Sequence, residues 1–78
     1  MAIERRYSNL FPTGEAAHAF ETAVRGAALE AGLSVGPGGT TDKGLPGVEV
    51  LTVLTGDAAG IERFAAEPHD GTRLEPAA

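Results

Sequence analysis

The side chains of this 78-residue chain that could bind a metal, attack a carbonyl or move a proton are few: His18, His69, Ser8, Ser34, Lys43 and eleven carboxylates. A helical metal site needs a second ligand one turn from the first. His18 has Glu15, Glu21 and Thr22 around it but no histidine at that spacing, and His69 stands beside Asp70 in a separate segment. Both read as ordinary surface or partly buried histidines. A serine nucleophile needs a base and a group that orients it, and neither Ser8 nor Ser34 lies in a nucleophile-elbow context. Asp57 and Glu62 fall at a helix start, where acids meet the helix dipole favourably. With no cysteine, thiolate metal sites, disulfide scaffolds and cysteine nucleophiles are excluded together. The expectation is a protein with no catalytic residue, no metal and no cofactor.

The stretch Gly36-Pro37-Gly38-Gly39-Thr40-Thr41-Asp42-Lys43-Gly44-Leu45-Pro46-Gly47 invites a phosphate-loop reading, because backbone N–H groups in such loops cradle anions. A Walker A loop requires G-x-x-x-x-G-K-[ST] between a strand and a helix; here Lys43 precedes Gly44-Leu45, and the stretch joins two strands. The expectation is a long connection, and structureless loops of that length are uncommon in compact domains unless they bind something or are disordered. Thr40, Thr41, Asp42 and Lys43 are therefore candidate contact residues.

The elements that would position these groups follow from periodicity. Ile3–Leu10 suits a short strand. Phe11-Pro12 blocks a helix, Thr13 supplies an N-cap hydroxyl, and Ala16, Phe20, Ala23, Val24, Ala27 and Ala28 recur at spacings of three and four, predicting a helix over Gly14–Ala31. Glu21 and Arg25 form an i,i+4 pair, and Gly32-Leu33 reads as a C-terminal cap. Gly26 weakens the helix interior by about 1 kcal/mol relative to alanine, and close approach to a sheet is its expected compensation. Leu33-Ser34-Val35 begins a second strand, and β-branched Val48–Thr55 is the third. Asp57 caps a second helix carrying Ala58, Ile61, Phe64 and Ala65, which Pro68 ends. His69-Asp70-Gly71 is a turn, and Thr72–Glu75 is long enough for an edge strand before Pro76.

The order β-α-β-β-α-β in one domain spanning residues 1–78 predicts an α+β fold, a two-layer ferredoxin-like sandwich with an antiparallel sheet and two helices on one face. From Gly47 to Glu75, the segments Gly47-Val48-Glu49-Val50, Gly56-Asp57, Ile61-Glu62-Arg63-Phe64 and Arg73-Leu74-Glu75 resemble the second half of acylphosphatases. That resemblance implies the same fold and, as an alternative function, a degenerate acylphosphatase-like enzyme. Catalysis in that family uses an arginine in a glycine-rich first strand–helix turn and an asparagine near the second strand. The corresponding turn here, Asn9-Leu10-Phe11-Pro12-Thr13-Gly14, has no arginine, and the loop after Leu33 has no asparagine.

The third strand directs attention to surfaces. Its alternate positions are Val48, Val50, Thr52 and Leu54 on one side and Glu49, Leu51, Val53 and Thr55 on the other, both with large apolar residues. Two short helices cover one face, so Leu51 and Val53, framed by Glu49, are expected on the open face. This predicts a non-enzymatic interaction or assembly module whose partner is another protein or a second copy. The formal charge of −5 with a single lysine repels nucleic acid and phospholipid, and suits as an alternative an acidic inhibitor or decoy, for example a phage-encoded inhibitor or particle component, that binds a basic target. Met1–Arg6 shows no apolar signal region, and no apolar run approaches the roughly 20 residues that span a bilayer. The expected location is the cytoplasm, without membrane association.

Overall fold

A computed structural model describes all residues except Pro37, Leu45, Pro46 and Ala78. It is a small α+β domain whose elements run β1 (Ile3–Phe11), α1 (Gly14–Glu30), β2 (Ser34–Val35), β3 (Gly39–Asp42), β4 (Val48–Gly56) and α2 (Ala58–Ala66). Four strands form one antiparallel sheet: β1 pairs one side of β4 along its full length, and β2 and β3 share the other side.

The helix boundaries follow the local chemistry expected of them. Thr13 is extended and its hydroxyl accepts from the Ala16 N–H at 3.2 Å. At the other end Leu33 N–H reaches the Ala28 carbonyl and Gly32 N–H the Leu29 carbonyl, a Schellman closure made possible by Gly32 at φ 75°. Asp57 caps α2 through Gly60 N–H, and Glu67, immediately before Pro68, terminates it. Ala17, Phe20, Val24 and Ala28 from α1 and Ile61 and Phe64 from α2 enter a single core with Tyr7, Phe11, Val48, Val50 and Leu54 of the sheet, so both helices lie on the same side. Of these, Ala17 falls outside the expected stripe. Phe11 and Phe20 anchor one end with ring centroids 5.0 Å apart. Among the described residues no helix is long and apolar enough to cross a membrane.

Three expectations are corrected. The connection between Gly36 and Gly47 is not one long loop: Gly39–Asp42 is a strand paired to β4 in the register Gly39↔Leu51 through Asp42↔Val48. Tertiary pairing overrides the turn-forming composition there, since the two threonines accept an extended backbone and β4 offers a full row of partners. The parts of that expectation on Pro37, Leu45 and Pro46 lie outside the described residues. Between Val35↔Leu54 and Gly39↔Leu51 the register shifts by one residue, so β2 and β3 pair the same side of β4 one residue out of step. Gly38 is needed there, because a Cβ on it would lie 1.9 Å from the Leu51 carbonyl oxygen.

Gly26 faces solvent rather than the sheet, with nothing within 4 Å of where a Cβ would stand. Its cost to the helix has no packing compensation. The expected edge strand over Thr72–Glu75 is replaced by a tight turn and an irregular tail. His69 and Thr72 exchange both backbone hydrogen bonds around Asp70 (φ 53°) and Gly71 (φ 80°), a type I′ geometry. The tail then runs beside β1: Ser8 N–H donates to the Glu75 carbonyl at 2.8 Å and Ala77 N–H to the Arg6 carbonyl at 3.1 Å. Tyr7 and Pro76 therefore form the non-hydrogen-bonded pair, the one place in such a ladder where proline forfeits no bond. Asn9, buried in β1, fastens the same tail by donating through Nδ2 to the Arg73 carbonyl at 2.9 Å and accepting from Glu75 N–H at 3.4 Å. Leu74 is thereby held in the core.

Candidate functional site

With Tyr7, Phe11, Val48, Val50 and Leu54 turned toward the helices, strand alternation places Glu4, Arg6, Ser8 and Leu10 of β1 and Glu49, Leu51, Val53 and Thr55 of β4 on the opposite side. Thr41, opposite Glu49 in β3, joins them. This uncovered face is the candidate site.

Its polar centre is Glu49. Ser8 Oγ donates to Glu49 Oε2 at 2.7 Å, and Lys43 Nζ stands 3.4 Å from Glu49 Oε1. The Ser8 hydrogen bond, and after it the Lys43 charge, hold the Glu49 carboxyl below its ordinary value. Glu49 thus accepts a hydrogen bond from β1 and pairs with a charge just past the end of β3. The trio ties β1, β3 and β4 together across the open face.

The apolar part of the face is smaller than the alternation of β4 predicts. Leu51 is half-buried, whereas Val53 is only 8% exposed and corrects the expectation that both lie open. Arg6 is its cross-strand neighbour, and the backbone at Gly36 closes in from the other side, where a Cβ would meet Val53 Cβ at 3.4 Å. A long arginine stem covers apolar surface while its charge stays in water, here 3.3 Å from Glu4. Leu10, 53% exposed, supplies the apolar surface that Val53 does not. Leu10 and Ser8 escaped the sequence reading because their membership depends on β1 lying next to β4. The signal available was the alternation Glu4, Arg6, Ser8, Leu10 along the first strand.

The remaining candidate contact residues separate. Lys43 and Thr41 join the open face, whereas Thr40 turns toward α1 and donates through Oγ1 to Glu21 Oε2 at 2.8 Å. Glu21 also stands 3.9 Å from Arg25. Asp42 Oδ1 accepts from Gly44 N–H and shapes the turn after β3. Thr40, Thr41, Asp42 and Lys43 are thus strand and strand-end residues rather than loop residues.

Elsewhere the chemistry-bearing groups have structural partners. His69 is buried, stacked on Phe64 with centroids 4.2 Å apart, and its Nε2–H donates to the Phe64 carbonyl at 2.9 Å. The Phe64 carbonyl, one of the last of α2, accepts this bond beside the one from Glu67 N–H, which joins the turn to the helix. His18 is exposed, and among the described residues no group of three or more potential ligands could hold a metal ion. A shallow hollow of about 530 Å³ lies at the start of β1, lined by Glu4, Arg5, Arg6, Tyr7, Glu62 and Pro76 among others. Burial raises the pKa of the Tyr7 hydroxyl, so it stays protonated there.

The glycine, carboxylate and hydrophobic segments between Gly47 and Glu75 that resemble acylphosphatases form β4, α2 and the tail, and the first strand–helix turn carries the Thr13 cap instead of an arginine. No protein-family model, no curated protein and no solved structure matches this chain.

Proposed function

We propose that this chain is a small non-enzymatic protein–protein interaction module that binds a partner protein through the uncovered face of its sheet. The observation that carries the reading is an imbalance between the two faces. Both helices and the whole core lie on one side, and on the other Leu10 and half-buried Leu51 remain in contact with solvent. Covering that face would remove apolar surface from water and stabilise a domain too small to bury much of its own. The sheet order, with the tail beside β1, then β4, then β2 with β3, supports reading the architecture as ferredoxin-like, the tail standing where a last strand would be.

Charge supports the same surface. Strand alternation gives the open face two bases, Arg6 and Lys43, and two acids, Glu4 and Glu49. The excess of −5 therefore belongs to the rest of the chain, chiefly the helix side and the turns. A locally neutral face, with Leu10 and Leu51 beside an internally paired polar cluster, suits a partner surface of the same kind, and its binding is insensitive to salt. The helix-side excess favours a second reading, an acidic protein that docks a basic target through α2 and the turn at Asp70, with binding that weakens as salt rises.

The experiment is affinity capture from the native source by the unchanged chain, by Leu10→Lys and Leu51→Lys, and by His18→Ala on the outer face of α1, each at low and high salt. The proposal expects a protein retained by the unchanged chain and His18→Ala at both salt concentrations and lost by both leucine variants. Retention by the leucine variants, or release by salt alone, overturns it.

A further inference from the structure

The two edges of the sheet are built differently. On the tail side, Glu75 and Ala77 turn their bonds inward to β1, and the residue that faces outward, Pro76, has no N–H to offer a further strand. Proline blocks further pairing at that position. On the other side, Lys43 N–H donates to the Gly47 carbonyl at 2.8 Å, so the bonded pairs of the β3–β4 ladder fall at Lys43, Thr41 and Gly39. The N–H and C=O groups of Thr40 and Asp42 point away from β4. Both residues are exposed, and among the described residues no backbone group bonds them.

The geometry points to a second copy of this chain as the occupant of that edge: β3 pairs antiparallel with β3 of the partner subunit about a twofold axis at Thr41, Thr40 facing Asp42 of the partner subunit. Self-complementarity selects this register. With Thr40 opposite Asp42 of the partner subunit, all four outward N–H groups meet outward carbonyls. Centring on Asp42 opposes two carboxylates, which is destabilising. Centring on Thr40 places Asp42 opposite Gly38, whose N–H already donates to the Gly36 carbonyl at 2.9 Å. A shift by one residue presents groups already bonded to β4.

Charge favours the same occupant. The edge strand from Ser34 to Lys43 holds one acid and one base and so has no net charge, and Glu21, which lies beside Thr40, is paired with Arg25. At the axis two threonines face each other, a favourable cross-strand pair. Lys43 of the partner subunit comes opposite Gly39, which has no side chain to block it. The inference stands on the backbone of β3 and does not depend on the open face binding another protein.

The absence of native cysteine makes the test direct. A non-hydrogen-bonded antiparallel pair has Cα atoms about 4.5 Å apart, within the roughly 4.4–6.8 Å range of disulfides. Thr41→Cys is therefore expected to form a disulfide-linked dimer under mild oxidation far faster than Ala19→Cys on the exposed side of α1 or Leu10→Cys on the open face. Equal rates for Thr41→Cys and Ala19→Cys overturn the proposal, and a faster Leu10→Cys assigns self-association to the open face instead. In sedimentation, Thr41→Lys alone and Thr41→Glu alone should each associate about fivefold more weakly than the unchanged chain, while their mixture recovers the dimer. Failure of the mixture to recover while both variants remain folded also overturns it.

Discussion

Asn9 offers the sharpest test of how the tail is held. It lies in the middle of β1, 5% exposed, and bonds the tail twice, at 2.9 Å to the Arg73 carbonyl and at 3.4 Å from Glu75 N–H. Asn9→Leu keeps the volume and removes both bonds. The first is worth about 1 kcal/mol, the longer one less, and leaving a part-buried carbonyl unpaired adds a comparable penalty, for a total of about 2 kcal/mol. For a domain of this length that lowers Tm by roughly 8–16 °C. Thermal unfolding followed by circular dichroism measures it, and amide hydrogen exchange at Ser8, whose N–H bonds the Glu75 carbonyl at 2.8 Å, shows whether the tail leaves first. Loss of Ser8 protection with a smaller fall in Tm means that the tail opens as a local unit while the rest stays folded. An unchanged Tm together with unchanged Ser8 protection would refute the reasoning, because it would mean that Asn9 bears no load in either state.

Other substitutions test the remaining structural assignments. Gly26→Ala, in open space on α1, should stabilise by about 1 kcal/mol in denaturant unfolding, and a loss of stability would contradict its exposed position. Gly38→Ala, by contrast, drives a Cβ against the Leu51 carbonyl and should destabilise by about 2 kcal/mol or more, with loss of amide protection at Gly36, whose N–H bonds Val53. Ser8→Ala should raise the Glu49 carboxyl toward its ordinary value in an NMR titration, since the Ser8 bond is the largest cause of its depression. Because that pKa is lowered on folding, its contribution to stability is complete above the ordinary carboxylate pKa. It is lost as pH falls through the lowered value, and Ser8→Ala should flatten that acid limb. An identical titration in both proteins would remove the hydrogen bond from the account.

Much of the scaffold was legible because it is locally encoded. Thr13 and Asp57 cap the helices, Gly32 closes the first, Pro68 stops the second, and the 3.6-residue spacing of Phe20, Val24 and Ala28 or of Ile61 and Phe64 selects the buried face whatever lies opposite. Asp70-Gly71 encodes its turn in the same way, through positive φ at both residues. The site was legible only in part. The alternation of β4 exposed Glu49, Leu51 and Val53 as a set, but their fates depend on neighbours distant in sequence. Arg6 and the backbone at Gly36 cover Val53, Ser8 and Lys43 bind Glu49, and Leu10 replaces Val53 as exposed apolar surface.

The sequence by itself determined the two helices, their ends, the long strand β4 and the absence of thiol chemistry, because each depends on propensity, capping or composition within a few residues. Only the tertiary structure decided that Gly39–Asp42 is a strand, that Gly26 faces water, that Pro76 pairs with Tyr7, and which residues share the uncovered face. A strand edge has half of its hydrogen-bonding partners on another segment, and the register of that pairing sets which side chains meet. That information resides in no single stretch of the chain.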